Sequence, residues 1–569
     1  MFILKEAEQE IQKALNEFDA NFNAVVTFSD RPELCDFQCN VSFSLSKTLK
    51  KSPLEIAKNI CEKIESENFE YNACAPGFIN IKVKENYLEK VFEKLFESED
   101  LLVQKEDKKK IFLDYGGPNV AKPLHVGHLR SAVIGETLKR LAKFVGNDVT
   151  SDVHLGDWGL QMGLTILGII NKFDVGYYFN KTGEKPNITM EDLNVLYPEM
   201  SAKSKEDENV KKQAQEITTK LQHKEAGYYD IWKDIRKISV DAIQSIYNKL
   251  NVSFDLFNGE SDSDLYIPKV FEILNDKKLI EKSEGAEIVN VAVEGENKPM
   301  PPVIVKSSAG AGLYATTDIA TILERVQKYN PDEIWYITDD RQSMHFEQVF
   351  RVCKLAGIAS EKTNLLHLPF GTINGKDGKP FKTREGGVMR LSDLIDLVTN
   401  ASNEKLVENG KEQNLNLAEK IGVCALKFGD MINFRGKDYV MDIDKFCSFD
   451  GKTGPYILYS LVRINSILNK AGNFEDNFKI GSEISREIIV NILKLSNDIY
   501  VSYKEKAPNV MCQSAYSLAS SFSTLYANES ILQEQNAEKK NALLTLLKLV
   551  SKSLQIVCDL LAVNVPEKM

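Results

Sequence analysis

The sequence predicts a multi-domain α/β protein with a central parallel-sheet domain, a small N-terminal α/β domain and a C-terminal all-α bundle. The chain has 569 residues, which is more than one hydrophobic core usually serves. A buried-type strand, a glycine turn and an apolar-periodic helix follow one another from Ile111 to Val145, as in the opening unit of a Rossmann-type sheet. From Leu415 onward, apolar residues recur at helical spacing almost to the last residue.

The N-terminal domain is predicted to span residues 1–108. It opens with an amphipathic helical pattern, and the segment VSFSLSKTL then alternates with the period of a strand. A helix introduced by Ser-Pro (SPLEIAKNICEKIE) and an alternating strand (FINIKV) complete a small mixed α/β unit. The charged stretch 104–110 has the composition of a linker.

The central domain is predicted to span residues 109–440. The strand IFLDY and the turn GGPN lead into a helix over about 123–145. Residues from about 172 to 260 are charged and helical, and this stretch is too long for a loop, so we expect a helical insertion. Strand-like runs then return as AEIVNVAV, PPVIVK, EIWYIT and LLHLPFGTI. Residues 441–569 form the predicted bundle.

Composition narrows the function classes. With 43% hydrophobic and 27% charged residues, the chain is not a disordered or low-complexity protein. A net charge of -11 argues against a protein that coats a polyanion through bulk charge, although a local basic surface remains compatible with it. Nine scattered cysteines without a CxxC pair indicate reduced thiols and exclude a zinc ribbon. No signal peptide or apolar run of about 18 residues is visible, so we expect a cytoplasmic protein without a membrane partner.

The segment His125-Val126-Gly127-His128 lies at the start of the first helix of the central domain. Two imidazoles at i and i+3 share one face, Gly127 allows a ligand close to the backbone, and free N–H groups at a helix start attract anions. This arrangement suits a nucleotide phosphate chain. Three alternatives stay open. One is a metal pair, for which neither an HExxH glutamate nor a third ligand is in reach. The others are core histidines, although two of only six histidines fall in this turn, and a chance match to a short motif.

In its context PNVAKPLHVGHLRS, this segment resembles the HIGH signature of the class I aminoacyl-tRNA synthetases. Further segments match the arginyl-tRNA synthetases of bacterial type in the same order: DFQCN before it, then HLGDWGLQMG, LYATTDIA, DRQSMHF, KPFKTREGG and the terminal VNVPEKM. One short motif is weak, but a series in register over the whole chain is specific. The sequence is therefore identified as a member of this family.

The resemblance implies an ATP-dependent ligase. Arginine's carboxylate would attack the α-phosphate of ATP, with Mg²⁺ accompanying the nucleotide, and the terminal ribose of tRNA(Arg) would then take the arginyl group. The family pattern also implies that adenylate formation requires tRNA and that the enzyme is a monomer. The sequence shows no dedicated metal site, so we expect ATP oxygens to hold Mg²⁺. In such a reaction the protein mainly positions groups and stabilises charge on phosphate oxygens.

The resemblance assigns the catalytic and ATP-binding residues. His125 and His128 would stabilise phosphate charge, with Gly127 and His345 beside the nucleotide. The second class I signature, KMSKS, corresponds to the loop from Lys379 to Arg384. This loop departs from the pattern: Lys382 falls in the serine position and Thr383 replaces the second lysine. Lys379 and Lys382 are the catalytic candidates of the loop, Thr383 and Arg384 would contact ATP, and Lys122 is expected to supply the missing charge.

Recognition of arginine requires acceptors that face a planar guanidinium. The family positions for this substrate map onto Asp114, Asn119, Tyr314, Asp318 and Gln342. Tyr314 and Asp318 are four residues apart and share a face if the segment is helical. We expect Asp318 to pair with the guanidinium, and Asp114 and Asn119 to hold the α-amino end. The HLGDWG segment should line the same cleft, without separable roles for its residues.

The flanking domains are expected to bind tRNA. In the N-terminal domain, Phe37, Gln38 and Asn40 of DFQCN would stack on and hydrogen-bond an unpaired loop base. The C-terminal bundle resembles the family's anticodon-binding domain. The family's own pattern thus predicts an RNA contact on each side of the catalytic domain.

Sequence features also argue against several alternative functions. The branched-chain class I synthetases would need a large editing insertion, and the cysteine enzyme would need zinc-ligand cysteines. A smaller HxGH nucleotidyltransferase, such as pantothenate synthetase, would leave both flanking domains unexplained. A paralogue that binds tRNA without catalysis would be favoured by loss of HVGH or of the lysine-bearing loop, and both are present.

Overall fold

The computed structural model of the chain describes residues 1–16, 22–306, 314–381 and 388–569. It separates into two compact units. One comprises residues 1–105, 448–559 and 565–569, and the other comprises residues 106–447 and 560–564. The predicted fold class is confirmed, whereas the predicted boundaries at 108/109 and 440/441 stay predictions.

The N-terminal region is a four-stranded antiparallel sheet with flanking helices. Its strands pair in the order β1-β2-β4-β3, and each pair is antiparallel. Its elements are α1 (Phe2–Leu15), β1 (Val26–Phe28), β2 (Phe37–Cys39), α2 (Val41–Leu49), α3 (Pro53–Cys61), β3 (Phe69–Cys74), β4 (Phe78–Val83) and α4 (Glu85–Glu97).

The segment VSFSLSKTL forms the helix α2. The prediction of a strand from its alternating pattern was therefore wrong. Val41 and Leu45, four residues apart, are both buried, as a helical face requires. Phe43 packs its ring edge-on against Phe78, with centroids 5.0 Å apart. Apolar residues at 41, 43 and 45 suit either period over so short a stretch, and packing onto the sheet decides for the helix.

The larger unit contains the central parallel sheet and the helices around it. Its elements are β5 (Lys110–Tyr115), α5 (Val126–Phe144), β6 (Asp148–Asp152), α6 (Leu160–Lys172), α7 (Gly176–Phe179), α8 (Met190–Glu206), α9 (Glu208–Gln222), α10 (Tyr228–Lys249), α11 (Glu260–Ser263), α12 (Ile267–Asp276), β7 (Ile280–Ser283), β8 (Ala286–Val289), β9 (Val303–Lys306), α13 (Tyr314–Tyr329), β10 (Glu333–Ile337), α14 (Ser343–Ala356), β11 (Asn364–His367), β12 (Ile373–Asn374), α15 (Leu391–Glu408), α16 (Leu415–Met431), β13 (Tyr439–Val440) and α17 (Ile443–Phe446).

The central sheet has the strand order β11-β10-β5-β6, and all its pairs are parallel. From β5 the chain moves outward to β6, and from β10 it moves outward to β11 on the other side. The order therefore reverses between β5 and β10. In open parallel sheets, ligands bind in the crevice beyond the carboxyl ends of the strands at such a point. The topology predicts a site where Tyr115 and Ile337 end their strands.

The helical insertion is present as α7–α10, and its longest helix supports the loop between β5 and α5. The hydroxyl of Tyr247 donates to the carbonyl of Gly116 over 2.5 Å. The hydroxyl of Ser239 accepts from the amide of Ala121 over 2.9 Å. Both side chains are buried on α10, so the insertion fixes the turn that precedes the HVGH segment.

The C-terminal region is helical, as predicted, with α18 (Gly454–Ala471), α19 (Glu483–Lys504), α20 (Asn509–Asn528) and α21 (Ala537–Leu560). It shares a compact unit with the N-terminal sheet. Arg486 donates to both carboxylate oxygens of Asp36, over 2.8 and 2.6 Å, a bidentate pair at a largely buried position. Within the described part of the chain, no helix has the length and apolar character that a membrane crossing needs.

Candidate active site

A cleft of about 560 Å³ opens at the carboxyl ends of β5 and β10, where the sheet topology predicts a site. The loop after β5, the start of α5, the segment after β10 and the first turns of α13 and α14 all contribute to its walls. Nine residues predicted from the sequence line it: Asp114, Asn119, His125, Gly127, His128, Tyr314, Asp318, Gln342 and His345. The fold thus brings together residues that are more than 200 positions apart.

The two histidines of HVGH close the start of α5 with their own side chains. The Nδ1 atom of His125 accepts from the amide of Gly127 over 3.1 Å. The Nδ1 atom of His128 accepts from the amide of His125 over 3.0 Å. The imidazoles therefore act as helix-capping acceptors, a role usually taken by Ser, Asp or Glu. Because Nδ1 accepts, the proton of each ring is assigned to Nε2, which remains as a donor.

The HVGH histidines are neutral at neutral pH. Burial lowers the pKa of His128 far below its ordinary value, and the neighbouring His125 and Lys122 lower it further. Burial also lowers the pKa of His125, and the positive charges of Lys122 and Arg341 act in the same direction. The ring centroids lie 3.9 Å apart, so two imidazolium ions would repel each other strongly. The turn therefore presents two uncharged Nε2–H donors.

The helix α13 carries the predicted pair of arginine-binding residues. Tyr314 and Asp318 lie one turn apart on α13 and both line the cleft, as their spacing predicts. Tyr314 is 69% exposed. The Oδ2 atom of Asp318 lies 2.5 Å from Nε2 of His345. This histidine therefore contacts the carboxylate that is predicted to bind the arginine substrate.

Asp114 has a partner within the protein. Its Oδ2 lies 2.7 Å from a guanidinium nitrogen of Arg325, and the same nitrogen lies 3.0 Å from Asp152. Arg325 is buried beneath the cleft, and these two carboxylates hold its pKa above its ordinary value. No sequence motif marks this buried triad, because its three members come from β5, β6 and α13.

The HLGDWG segment divides between the cleft and the supporting structure. His154 and Gly156 line the cleft, and a Cβ at Gly156 would lie 2.2 Å from Oδ1 of Asn119. Asp157 is buried and accepts from Nε of Arg236 over 2.9 Å. Trp158 packs edge-on against Trp232 of α10. The first half of the segment thus reaches the cleft, and the second half attaches the insertion.

Lys122 and Lys379 do not line the cleft, although the charge of Lys122 acts on the HVGH histidines. The Nζ atom of Lys122 lies 4.3 Å from the ring centroid of Tyr197 on α8. Lys379 belongs to a short hairpin, in which its carbonyl accepts from the amide of Gly375 over 2.7 Å. The predicted residues Lys382, Thr383 and Arg384 lie outside the described residues.

The three predicted RNA-contacting residues belong to the smaller unit. Phe37 is 0% exposed, and its ring packs edge-on against Phe28. Its ring is therefore part of the core and is not presented for stacking. Gln38 is half-buried and donates to Asn80, while Asn40 is exposed before α2. Period-2 alternation within β2 explains this division, since Phe37 and Cys39 face inward.

Glu260 and Arg341 are among the residues of the cleft that the sequence did not predict. Glu260 lines it at the start of α11, and burial raises the pKa of its carboxyl to about 7, with Asp157 and Asp318 adding to the shift. It lies at the end of the predicted insertion, where no motif marks it. Arg341 also lines the cleft and binds Asp339 through two nitrogens, over 2.7 and 2.9 Å. It belongs to the DRQSMHF motif, in which only Gln342 and His345 were predicted site residues.

Three family descriptions together match most of the chain. Residues 90–443 match the catalytic domain of tRNA synthetases class I (R). Residues 5–83 match the arginyl tRNA synthetase N terminal domain, and residues 457–569 match the DALR anticodon binding domain.

Curated relatives match over almost their full length. Arginine--tRNA ligase of Alkaliphilus oremlandii is 44% identical over 562 residues, with 96% of each chain covered. The enzymes of the same name from Agathobacter rectalis and Hyphomonas neptunium are 43% and 40% identical, with 96% and 95% of each chain covered.

Solved structures share the fold. Arginyl-tRNA synthetase of Plasmodium falciparum superposes with a TM-score of 0.83 at 24% identity, over 100% of this chain and 99% of the other. The Thermus thermophilus arginyl-tRNA synthetase gives a TM-score of 0.81 at 20% identity over 100% of both chains. A methionyl-tRNA synthetase of Mycobacterium tuberculosis gives 0.52 at 9% identity, over 81% of this chain and 92% of the other.

Proposed function

This chain belongs to the arginyl-tRNA synthetases of class I, and on that premise we propose how its residues divide the work of ligating arginine to tRNA(Arg). ATP activates the arginine carboxylate as an adenylate with release of pyrophosphate. The terminal ribose hydroxyl of tRNA then attacks the activated carbonyl carbon, and AMP leaves. This division of roles rests on one observation: the HVGH turn and the acidic residues of α13 and α11 line the same cleft.

The HVGH turn is the phosphate side of the cleft. The Nε2–H groups of His125 and His128 donate to oxygens of the ATP phosphates, where negative charge develops as the α-phosphate is attacked. Neutral imidazoles suit this role, because their donors are already oriented by the capping hydrogen bonds and need no protonation. A Cβ at Gly127 would lie 2.8 Å from Cε1 of His125, so the glycine leaves room for that ring, and we assign its backbone to the nucleotide.

The acidic side of the cleft selects arginine. Asp318 contributes Oδ1 to the guanidinium while His345 holds Oδ2, and Glu260 supplies a second carboxylate. Two carboxylates around one guanidinium match its fork of donors and disfavour lysine, whose ammonium is a point charge. Tyr314 lies one turn before Asp318, on the same face of α13.

We place the α-amino group of the bound arginine beside β5. Arg325 engages Oδ2 of Asp114, and we assign Oδ1 to the ammonium group of the substrate. Asn119, which accepts from Gln161 over 3.2 Å, and Gln342 complete this end of the pocket. Burial raises the pKa of the Asp114 carboxyl, and the guanidinium of Arg325 opposes that shift.

Glu260 makes arginine binding dependent on pH. A guanidinium binds the ionised carboxylate, and with a pKa of about 7 Glu260 is mostly ionised at pH 8 but mostly protonated at pH 6. The KM for arginine should therefore rise about tenfold between pH 8 and pH 6. Steady-state charging at saturating ATP and tRNA measures it. Glu260→Gln should raise the KM at pH 8 and flatten the profile; a profile that keeps its slope in this variant would contradict the assignment.

Lys122 supplies positive charge near the HVGH turn, in addition to Lys379 and Lys382 of the KPFKTR loop. Lys122→Ala should slow adenylate formation about 10-fold to 100-fold, since one charged donor to the phosphates is lost. Single-turnover formation of arginyl-adenylate with tRNA present measures this. Tyr197→Phe, which keeps the aromatic face beneath Lys122, is the matched control and should stay near wild type. Full activity of Lys122→Ala would show that the loop lysines suffice.

ATP brings its own Mg²⁺ in this proposal. Among residues 1–16, 22–306, 314–381 and 388–569, no three His, Cys, Asp or Glu side chains converge as metal ligands. Phosphate oxygens and water would complete the octahedral shell that Mg²⁺ prefers. Thr383 and Arg384 of the loop, together with His345, are proposed to contact the nucleotide.

The smaller unit is proposed to bind tRNA. Gln38 and Asn40 are the surface members of DFQCN and can hydrogen-bond an unpaired base, while the buried ring of Phe37 supports the strand from beneath. The helical C-terminal region, which matches the DALR anticodon binding domain, is assigned to the anticodon. All nine cysteines are free thiols, which supports placement in the cytoplasm, and we propose that the enzyme acts as a monomer.

Charging of total tRNA tests the function itself. The purified protein should attach arginine to tRNA in the presence of ATP and should leave the other nineteen amino acids uncharged. Acid-gel or radiolabel charging assays with each amino acid in turn measure this selectivity. Charging with another amino acid in preference to arginine would overturn the assignment of substrate.

A further inference from the structure

Arg130 is a buried arginine two residues after the HVGH segment, and it does not line the cleft. It lies on α5 with 1% of its surface exposed. Its Nε donates to both carboxylate oxygens of Asp430 on α16, over 3.1 and 3.3 Å. Asp430 is fully buried and also accepts from the hydroxyl of Tyr439 over 3.1 Å.

The other end of the Arg130 guanidinium binds backbone rather than side chains. Its Nη1 donates to the carbonyl of Gly371 over 2.7 Å and to that of Lys437 over 3.0 Å. These carbonyls lie two residues before the paired strands β12 and β13. Arg130 therefore connects the helix of the histidines to the base of a small parallel ladder.

That ladder leads directly into the hairpin that carries Lys379. The amide of Phe381 donates to the carbonyl of Ile373 over 3.0 Å, and the amide of Gly375 donates to that of Lys379 over 2.7 Å. Arg130 and Lys379 are thus joined through hydrogen bonds and two short strands.

The segment on the far side of the loop is also fastened to the start of α5. The amide of Val126 donates to the carbonyl of Met389 over 3.0 Å, and the amide of Leu391 donates to that of Leu124 over 2.9 Å. These bonds flank an isolated bridge between His125 and Arg390. Both described ends of the lysine-bearing loop therefore attach to the same turn and the same helix.

We propose that Arg130 is a positioning residue for ATP: it fixes the Lys379 hairpin relative to the HVGH turn, so that the two halves of the phosphate site keep their spacing. This inference rests on the proposed role of the lysine-bearing loop at ATP. Arginine is suited to the task because its planar fork can bind a carboxylate along one edge and two carbonyls at the other end. Loss of Arg130 would therefore impair the use of ATP and leave the binding of arginine unchanged.

The test is Arg130→Lys, which keeps a positive charge beside Asp430 but loses the fork that reaches Gly371 and Lys437. Charging kinetics should show a fall of about 10-fold to 100-fold in kcat/KM for ATP, because small displacements of reacting groups are costly. The KM for arginine should stay near wild type, whereas the melting temperature should fall by a few degrees because two carbonyls lose their donor. Arg140→Lys, on the same helix and paired with Glu136, is the matched control and should leave all parameters unchanged.

A merely structural role gives a different result. It would lower the melting temperature and the concentration of active sites while leaving the KM for ATP unchanged, and that outcome overturns the proposal. If Arg130→Lys does not fold, the double variant Arg130→Met, Asp430→Leu provides the test instead. Such a variant is expected to fold, because apolar pairs often replace buried ion pairs without loss of stability. Impaired use of ATP by this folded double variant supports positioning, and normal use of ATP refutes it.

Lys379→Ala in the same assay separates this inference from the role of the loop. If Lys379→Ala leaves the ATP kinetics unchanged while Arg130→Lys impairs them, the assignment of Lys379 fails and positioning by Arg130 stands. If Lys379→Ala impairs them and Arg130→Lys does not, the loop assignment stands and the role of Arg130 is wrong.

Discussion

Replacing His128 with alanine should lower the rate of arginine activation by about 10²-fold to 10³-fold, the usual effect of removing one preorganised donor from developing oxyanion charge. The Nε2–H of this neutral imidazole is lost, and no other side chain of the HVGH turn occupies its place. Single-turnover conversion of ATP to AMP with arginine and tRNA present measures the effect. Affinity for tRNA, measured by filter binding, should stay within about twofold, because this residue lies on the phosphate side of the cleft.

Two further variants separate chemistry from folding at this position. His128→Asn can offer a side-chain oxygen near the position of Nδ1 and so keep an acceptor for the amide of His125. It should fold like wild type and still be slow. His223→Ala, at the end of α9 and outside the cleft, controls for loss of an imidazole and should be fully active. Normal turnover in His128→Ala would falsify the assigned role.

Replacing Asp318 with asparagine should raise the KM for arginine by about 10²-fold or more, the usual effect of truncating one partner of a charge-assisted pair. The KM for ATP should change little, because the phosphate side of the cleft is left intact. The preference for arginine over the uncharged analogue citrulline should also fall, since the lost interaction depends on substrate charge. Competition between the two in charging assays measures that ratio.

The control for this substitution is Asp241→Asn on α10. Asp241 is an exposed aspartate paired with Lys237, so its replacement removes the same charge from the surface and should leave the KM for arginine unchanged. A proportional loss of ATP affinity in Asp318→Asn would mean that the carboxylate organises the whole cleft. An unchanged KM for arginine would remove Asp318 from the substrate pocket.

Periodicity predicted most of the fold, and it failed where the segment was short. The runs around β5, β8, β9, β10 and β11 and the long C-terminal helices were recognised because apolar spacing extended over a whole element. The nine residues from Val41 to Leu49 fit both periods, and only packing against the sheet decides between them. Phe37 shows the same limit: its motif was found, but the inward direction of its ring depends on strand register.

The residues that line the cleft were predictable where they belong to a local sequence motif. HVGH, LYATTDIA and DRQSMHF place their marked residues in one cleft. Contacts between segments distant in sequence were not predictable, such as the hydrogen bond between His345 and Asp318 or the ion pair between Arg325 and Asp114. Glu260 had no motif at all, and its raised pKa arises from burial that only the folded chain creates.

The hydroxyl contacts of α10 have a consequence for how small an arginine-activating enzyme can be. Because α7–α10 form an insertion in the sequence, they could be expected to be removable without loss of the fold. Yet Tyr247 and Ser239 form part of the wall that holds the turn before HVGH. Exposed positions of α8 and α9 should tolerate wide variation during evolution or engineering. A truncated enzyme that joined α6 directly to α11 would keep every strand of its sheet and lose the rigidity of its nucleotide turn.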